Sequence, residues 1–235
     1  MTEFEIINSY PAVYFKELDL IAISDLHLGL EASMTSRGNY IPEFQLDQVK
    51  DELKEIRELT ECDRILINGD LKNQYSTSYS EKSEINDLVD FLTDNFEDVI
   101  IIKGNHDTFI DSILEDHGLR PLEQYEEGGV LFTHGDEKPE QEWSTVVIGH
   151  EHPALALEDD IGVTEKVDAL LHLEGKKEII VLPAYSPISN GSEINRMSSP
   201  ELLSPILKDF NIGDFEAYAI SREAGVFDFG KLQNL

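Results

Sequence analysis

The chain has 235 residues, of which 40% are hydrophobic and 28% charged, a balance that excludes a disordered chain and allows a large core in one domain, residues 1–235. Its formal net charge of -30 comes from 48 acidic and 18 basic residues. The acids are spread along the chain and the basic residues do not cluster, so the charge does not favour a nucleic-acid partner.

The first half of the sequence alternates between predicted strands and predicted helices. Short apolar runs indicate the strands, and apolar residues at a spacing near 3.6 indicate amphipathic helices. The predicted strands are residues 4–7, 12–15, 20–24, 64–68 and 98–103. The predicted helices begin near Pro42, at Ile85 and at Thr108, and the predicted loops are residues 30–41 and 71–80. This alternation is typical of parallel βαβ units in an α/β fold.

The second half of the sequence is rich in predicted strands with short connections. These strands are residues 129–133, 144–148, 154–157, 169–173, 178–182, 215–220 and 225–229. Residues 175–177 and 223–225 are predicted hairpin turns. A short helix is predicted to open at Ser199 as its N-cap, with Pro200 in the first helical position.

The sequence also predicts where the protein resides. No apolar run reaches the length of a transmembrane helix, so we expect no membrane partner. The N-terminus lacks the basic flank and the apolar segment of a signal peptide, which indicates a cytoplasmic protein. Cys62 is the only cysteine, so no internal disulfide is expected.

Polar side chains follow several of the predicted strands. Asp25 and His27 come directly after the third strand, and Asp70 follows the fourth. In open α/β sheets, ligands bind beyond the carboxyl ends of the strands. In a strand-like Asp25-x-His27 segment both side chains would leave the backbone on one face, where they could reach one metal ion.

Most of the histidines belong to the same pattern. Of the seven histidines, those at or just beyond predicted strand ends are His27, His106, His134, His150 and His152. Any one of them alone would be best interpreted as an ordinary loop or core histidine. Interleaved with Asp25, Asp70 and Asn105, they predict a shared metal site, since imidazole and carboxylate are common metal ligands. His117 is predicted to end a helix, and His172 to be an ordinary strand residue.

Three smaller expectations concern the same loops. The glycines that fit sharp turns or close backbone approach are Gly69, Gly104, Gly135 and Gly149. Asp107 is predicted to cap the helix that follows it. Tyr75 and Tyr79 either border a substrate mouth, where a ring could stack on a base, or are ordinary loop residues.

Together these motifs resemble those of the calcineurin-like metallophosphoesterase superfamily. The matching motifs, in order over residues 24–153, are Asp25-x-His27, Gly69-Asp70, Gly104-Asn105-His106-Asp107, His134 and Gly149-His150-Glu151-His152. Finer features resemble a branch of small prokaryotic phosphoesterases. That branch includes ligase-associated DNA-damage-response phosphoesterases and archaeal relatives of the nuclease subunit of double-strand-break repair complexes. The finer features are Asp25-Leu26-His27-Leu28-Gly29, Arg37-Gly38, Gly69-Asp70-Leu71-Lys72, His150-Glu151-His152-Pro153 and Leu182-Pro183-Ala184-Tyr185.

The resemblance implies a four-layer α/β/β/α sandwich and two divalent metal ions, with Mn favoured and Fe or Zn as alternatives. The residues implied for one ion are Asp25, His27, Asp70 and His152. Those implied for the other ion are Asp70, Asn105, His134 and His150, with Asp70 bridging. His106 would be an unligated catalytic group beside the scissile phosphate. Many relatives carry Asp or His three residues after the bridging aspartate, where this chain has Asn73, which leaves open what orients His106.

Three functions are compatible with these residues. The favoured one is hydrolysis of a phosphodiester or nucleotide-like phosphoester by a hydroxide that two metal ions activate. A DNA-repair nuclease of the same fold is the first alternative. The net charge and the short chain after Phe229 oppose it, although molar salt weakens the charge objection. A non-catalytic metal-binding scaffold is the second alternative, but it expects lost ligands and none is missing. The sequence predicts a phosphoester substrate and leaves protein partners unknown.

The net charge predicts that stability depends on salt. Self-repulsion at a charge of -30 destabilises the folded state in dilute buffer, and the Debye length falls to about 3 Å at 1 M salt. This favours a protein from a salt-rich cytoplasm. We expect the melting temperature, measured by circular dichroism, to rise steeply between dilute buffer and molar potassium chloride. A melting temperature independent of salt would reject this expectation.

Overall fold

Two β-sheets lie face to face in the computed structural model, which describes residues 2–36, 38, 42, 44–74, 79–159 and 161–235. The strands of the first sheet are β1 (Phe4–Ile6), β2 (Val13–Phe15), β3 (Leu20–Ile23), β4 (Arg64–Asn68) and β5 (Asp98–Ile102). They neighbour one another in chain order. The first three are antiparallel, whereas β3, β4 and β5 are parallel. The predicted βαβ half is therefore confirmed.

Helices cover the outer face of the first sheet. They are α1 (Leu30–Ser36), α2 (Gln45–Thr60), α3 (Tyr79–Asn95) and α4 (Asp111–Asp116). Leu53 of α2 and Leu92 of α3 pack against Ile23, Ile67 and Ile101 of the sheet in one buried cluster. Among the described residues, none of the helices has the length and apolar character needed to cross a bilayer.

The positions of the first two helices differ from the sequence-based prediction. α1 lies in a segment predicted as loop, because its seven residues are too few and too polar to give a clear periodicity. α2 begins at Gln45 rather than near Pro42. The Glu31 carboxylate of α1 accepts hydrogen bonds from the backbone N–H groups of Phe44 at 2.9 Å and Gln45 at 3.0 Å. A cap supplied by another helix cannot be recognised from the local sequence. The other two starts also differ from prediction, since α3 begins at Tyr79 and α4 at Asp111.

The second sheet is mixed. Its strands are β6 (Gln124–Glu127), β7 (Val130–Thr133), β8 (Thr145–Ile148), β9 (Pro153–Glu158), β10 (Thr164–Leu173), β11 (Glu178–Val181), β12 (Ser192–Glu193), β13 (Glu216–Ser221) and β14 (Gly225–Lys231). The order is β12-β9-β10-β11-β8-β7-β6, and β13 pairs with both β10 and β14. Both predicted hairpins form, between β10 and β11 and between β13 and β14. Sequence patterning missed β6, which is polar and only half-buried on one face.

A third buried apolar cluster lies between the two sheets. The Phe15 ring of the first sheet meets the Phe132 ring of the second edge to face, with centroids 5.2 Å apart. The outer face of the second sheet is covered by short 3-10 helices, including residues 199–201 and 212–214. The α/β class and the two-sheet sandwich are confirmed, and these 3-10 helices occupy the layer expected to be α-helical. Ser198 rather than Ser199 caps residues 199–201, since its N–H and hydroxyl both donate to the Glu201 carboxylate.

A buried polar cluster joins the N-terminus to the second sheet. His172 Nε2 lies 3.1 Å from Glu178 Oε1. The other oxygen of Glu178 accepts hydrogen bonds from the Thr2 backbone N–H at 3.0 Å and the Thr145 hydroxyl at 3.1 Å. Burial alone would raise the pKa of Glu178, but these hydrogen bonds outweigh it and hold the pKa below its ordinary value. The ionised carboxylate is therefore the form that stabilises the fold.

Replacing Glu178 with glutamine should destabilise the protein in a pH-dependent way. Since the folded-state pKa is depressed, the stabilisation is present above the ordinary glutamate pKa of about 4.3 and is lost as the pH falls through the folded-state value. We expect Glu178→Gln to lower the unfolding free energy at pH 7 by about 1–3 kcal/mol. The two proteins should converge in acid, as measured by denaturant unfolding in molar salt. Exposed Glu174→Gln in the same hairpin is the control, and a pH-independent difference would contradict the argument.

Candidate metal centre

Loops from both sheets converge at one place. β3, β4 and β5 end just before Asp25, Asp70 and Asn105, and β7 ends just before His134. β8 ends two residues before His150. Because these loops meet at one edge, the sequence-predicted metal ligands lie close together in space. The structure brings their donor atoms into two groups, which could each hold a metal ion.

The two groups share one carboxylate. The first group is Asp25, His27, Asp70 and His152, and the second is Asp70, His134 and His150. Within each group the donor atoms all lie within 4.8 Å of one another. Asn105 joins the second group, because its Oδ1 atom lies 3.2 Å from His134 Nε2. His106 belongs to neither group of donors.

The donor atoms face each other at short range. His152 Nε2 lies 2.9 Å from Asp25 Oδ1 and 3.1 Å from His27 Nε2. His134 Nε2 lies 3.4 Å from an oxygen of Asp70. Two imidazole nitrogens aimed at one another next to a buried carboxylate form a donor set that a cation satisfies better than a proton shared among them. The residues present therefore fit divalent metal ions.

Strained backbone accompanies the ligands. Left-handed φ values occur at Asp25 (57°), His27 (48°), Asp70 (51°), His150 (64°) and His152 (46°). Such values are uncommon for residues with a side chain and concentrate at functional sites. The expectation of a strand-like Asp25-x-His27 segment is therefore wrong, because both residues leave the extended conformation. Their backbone N–H groups instead donate to the carbonyls of Gly69 at 3.0 Å and Asp70 at 2.9 Å, which extends the pairing of the two strands into the loops.

Contacts behind the histidines orient their rings. His134 Nδ1 donates to the Asn68 carbonyl at 3.1 Å, so its Nε2 atom is the one that faces Asp70. His152 Nδ1 lies 3.3 Å from the Ser189 hydroxyl. A hydrogen bond on one ring nitrogen fixes the tautomer and the direction of the other nitrogen.

Close backbone approach requires glycine at loop positions of the site. A Cβ on Gly104 would collide with the Asp70 carboxylate, and a Cβ on Gly149 would collide with the Ser24 hydroxyl and the Asp25 carboxylate. The sequence-based expectation for these two glycines is confirmed. Larger residues there would push the carboxylates away from the histidines.

The electrostatics of the cluster favour anionic carboxylates. Burial alone would raise the pKa of Asp25, but the imidazoles of His152 and His134 outweigh burial and hold it well below its ordinary value. Burial lowers the pKa of His27 to about 4, so this ring is neutral at pH 7. Burial also opposes charge on His134, but its hydrogen bond to Asp70 and the charge of Asp25 raise its pKa to about 10. A cation bound between the carboxylates would take over the role of that proton.

The backbone carbonyl of Asn73 orients the His106 ring. His106 Nδ1 donates to the Asn73 carbonyl oxygen at 2.5 Å, and the His106 backbone N–H donates to Asp70 Oδ1 at 2.9 Å. The Asn73 side chain is not required for this contact. The departure from the family pattern at position 73 therefore leaves the orientation of His106 intact.

Asp107 fastens two site loops to each other. Its carboxylate accepts hydrogen bonds from the backbone N–H groups of Gly104 at 2.9 Å, Leu71 at 3.2 Å and Lys72 at 3.1 Å. The prediction that Asp107 caps the following helix is wrong, because α4 begins four residues later, at Asp111. The carboxylate is drawn instead to N–H groups of the turn and of the Asp70 loop.

Glu151 holds the 3-10 layer against the site, a role that the sequence analysis missed. Its buried carboxylate accepts hydrogen bonds from the backbone N–H groups of Leu203 at 2.8 Å and Ser204 at 2.9 Å. The Ser204 hydroxyl donates in turn to the Gly135 carbonyl at 2.7 Å, next to His134. A glutamate between two histidine ligands was the available signal, but its partners lie about fifty residues away in sequence.

The remaining residues singled out in the sequence are two from the finer motifs, Arg37 and Tyr185, and the two tyrosines predicted to lie in a loop. Tyr185 donates its backbone N–H to the Ser24 carbonyl at 2.8 Å, and this contact supports the loop that carries Asp25. Arg37 and Tyr75 lie outside the described residues. Tyr79 is the first residue of α3, so the expectation that it lies in a loop is wrong.

Comparison with known proteins identifies what the chain is similar to. A family model described as calcineurin-like phosphoesterase matches residues 18–214. Nuclease MPE from Pseudomonas putida superposes with a TM-score of 0.68 at 16% sequence identity, covering 97% of this chain and 96% of that one. Vacuolar Protein Sorting 29 from Cryptosporidium parvum gives a TM-score of 0.41 at 15% identity, over 90% of this chain and 97% of that one. No curated protein matches the sequence.

The Glu151 contacts predict different effects for two substitutions. Glu151→Ala leaves the N–H groups of Leu203 and Ser204 without an acceptor and should lower the unfolding free energy by about 1–3 kcal/mol. Glu151→Gln keeps an oxygen that can accept both hydrogen bonds and should remain close to the original protein. Denaturant unfolding measures both, with exposed Glu223→Ala as the control. Equal losses for alanine and glutamine would show that the two hydrogen bonds are not the reason.

Proposed function

Because the chain belongs to the calcineurin-like phosphoesterase family, we propose that it is a metal-dependent phosphoesterase that hydrolyses a phosphodiester or a nucleotide-like phosphoester. The observation that carries this proposal is the pair of donor groups that share Asp70. A scaffold without catalytic activity would have no need to keep both groups complete. The substrate partner is therefore a phosphoester.

The ligand assignment follows the two donor groups. We assign Asp25, His27, Asp70 and His152 to one ion. The other ion would be held by Asp70, Asn105, His134 and His150. The mixed nitrogen and oxygen donors suit Mn, with Fe and Zn as alternatives. Two such ions, when bound, would neutralise phosphoryl oxygens and lower the pKa of a bound water.

His106 is the residue proposed to handle the leaving-group proton. Its Nδ1–H remains on the Asn73 carbonyl, so the ring keeps one orientation whether or not Nε2 carries a proton. A protonated Nε2 can give its proton to the leaving oxygen as the ester bond breaks. The backbone contact to Asp70 ties the position of His106 to the shared ligand.

A DNA-repair nuclease of the same fold is the second candidate function. Its support is that a protein of similar fold is a nuclease. The net charge of -30 opposes a phosphate backbone in dilute buffer. In the salt-rich cytoplasm that we propose as the working environment, this repulsion is largely screened. Turnover of an aryl diester, an aryl monoester, cyclic nucleotides and single-stranded DNA with Mn in molar salt distinguishes the candidates.

Two substitutions separate metal binding from proton transfer. Asp70→Ala removes the shared ligand and should lose both metal equivalents and all turnover, and Asp70→Asn provides a second variant should the alanine protein not fold. His106→Ala should keep the metal content of the original protein while turnover falls about 10²–10⁴-fold. The loss should be smaller for a substrate with a good leaving group. Elemental analysis and turnover on two leaving groups provide the measurements.

One control variant and two contrary outcomes test the role assigned to His106. Asn73→Ala preserves the backbone carbonyl and should leave turnover nearly unchanged. Loss of one metal equivalent in His106→Ala would make His106 a ligand. Full activity of that variant on a poor leaving group would remove it from proton transfer.

A further inference from the structure

A cleft opens beside the second donor group. Its volume is about 700 Å³, and it is bordered by Asn105 and by Thr133, the residue before His134. Phe109 lines the same cleft. A group attached to a phosphoryl centre held at Asp70 and Asn105 could therefore extend into this space. Its volume is in the range of sites that enclose small organic ligands.

Phe109 combines an exposed side chain with a strained backbone conformation. The side chain is 76% exposed, and its φ of 66° is left-handed, which is a true outlier for a bulky residue. Single exposed aromatic residues are common, but strain at such a residue concentrates at ligand sites. On one side of it Asp107 is fastened to Gly104 and Leu71, and on the other α4 begins at Asp111. The turn that places Phe109 at the cleft is therefore anchored on both sides.

Many of the other residues that line the cleft are acidic. Its carboxylate residues include Asp111, Glu123, Asp136, Glu137 and Glu140. The two lysines that line it are compensated, because Lys103 lies 2.7 Å from Asp111 and 3.7 Å from Glu123, and Lys138 contacts Asp209. Salt at 1 M screens charges more than about 3 Å apart, so only phosphates that touch these carboxylates would still be repelled. A continuing chain of phosphates threaded along the cleft would make such contacts, whereas an uncharged planar group would not be repelled.

We propose that Phe109 is the stacking surface for the base or aryl group next to the scissile phosphate, and that the acidic wall limits this side of the site to a single nucleoside. The proposal rests on the phosphoesterase function. It predicts short nucleotide esters or chain ends as substrates, in preference to the interior of a long strand. Stacking on an aromatic ring tolerates any base, so the cleft selects for a planar group and not for a sequence.

The first test measures binding to the Mn-loaded protein in molar salt by calorimetry. Phe109→Ala should weaken binding of adenosine 5′-monophosphate roughly 5- to 100-fold and leave inorganic phosphate unchanged. Phe109→Tyr keeps a ring and should retain the affinity for the nucleotide. Phe227→Ala, a 48% exposed phenylalanine of β14, is the matched control. Unchanged nucleotide binding in Phe109→Ala, or a loss in Phe109→Tyr as large as in Phe109→Ala, would overturn the stacking role.

The second test addresses the acidic wall. The double variant Glu137→Gln and Glu140→Gln should raise kcat/KM for an aryl ester of a trinucleotide relative to that of a mononucleotide. An unchanged ratio would overturn the size limit. If the original protein turns over no phosphoester at all, the proposed function fails. If it turns over aryl and alkyl diesters and Phe109→Ala raises KM equally for both, only the stacking proposal fails.

Discussion

Two buried carboxylates in one small volume are the constraint on which the rest of the structure depends. Asp25 and Asp70 are both almost completely inaccessible to solvent. Buried charges of like sign are strongly destabilising unless partners compensate them. The fold supplies these partners by ending strands of both sheets at one edge, so that His134 and His152 reach the carboxylates from the opposite side of the sandwich.

The loops that meet this constraint are braced from several directions. Left-handed backbone at the ligands costs conformational energy and persists only where surrounding contacts enforce it. The backbone N–H groups of Asp25 and Tyr185 donate to the carbonyls of Gly69 and Ser24, and the Asp107 carboxylate accepts hydrogen bonds from the neighbouring loop. These contacts supply that enforcement. The donor atoms are thus positioned by backbone contacts, and a metal ion would bind to a site that is already assembled.

Sequence patterning predicts the parts of this structure that depend on local order. The apolar runs before Asp25, Asp70 and Asn105 identify buried strands, and the rule that ligands lie at strand ends then brings the polar residues together. Patterning does not predict the conformation of Asp25 and His27, because the pairing that imposes it comes from residues more than forty positions away. The same reason explains why the sequence does not predict the role of Asp107, since its carboxylate oxygens accept from N–H groups 35 and 36 positions away.

The order in which the chain can acquire metal follows from the spacing of the ligands. His27 and His152 face each other across 125 positions of sequence. Closing so long a segment before any compensating contact forms is entropically unfavourable, so pairing of the two sheets must come first. During synthesis, the segment that ends at β5 can begin to fold long before the histidines of the second sheet emerge. A metal ion that needed both histidines would therefore bind only after the two sheets had paired, and it would not nucleate the fold.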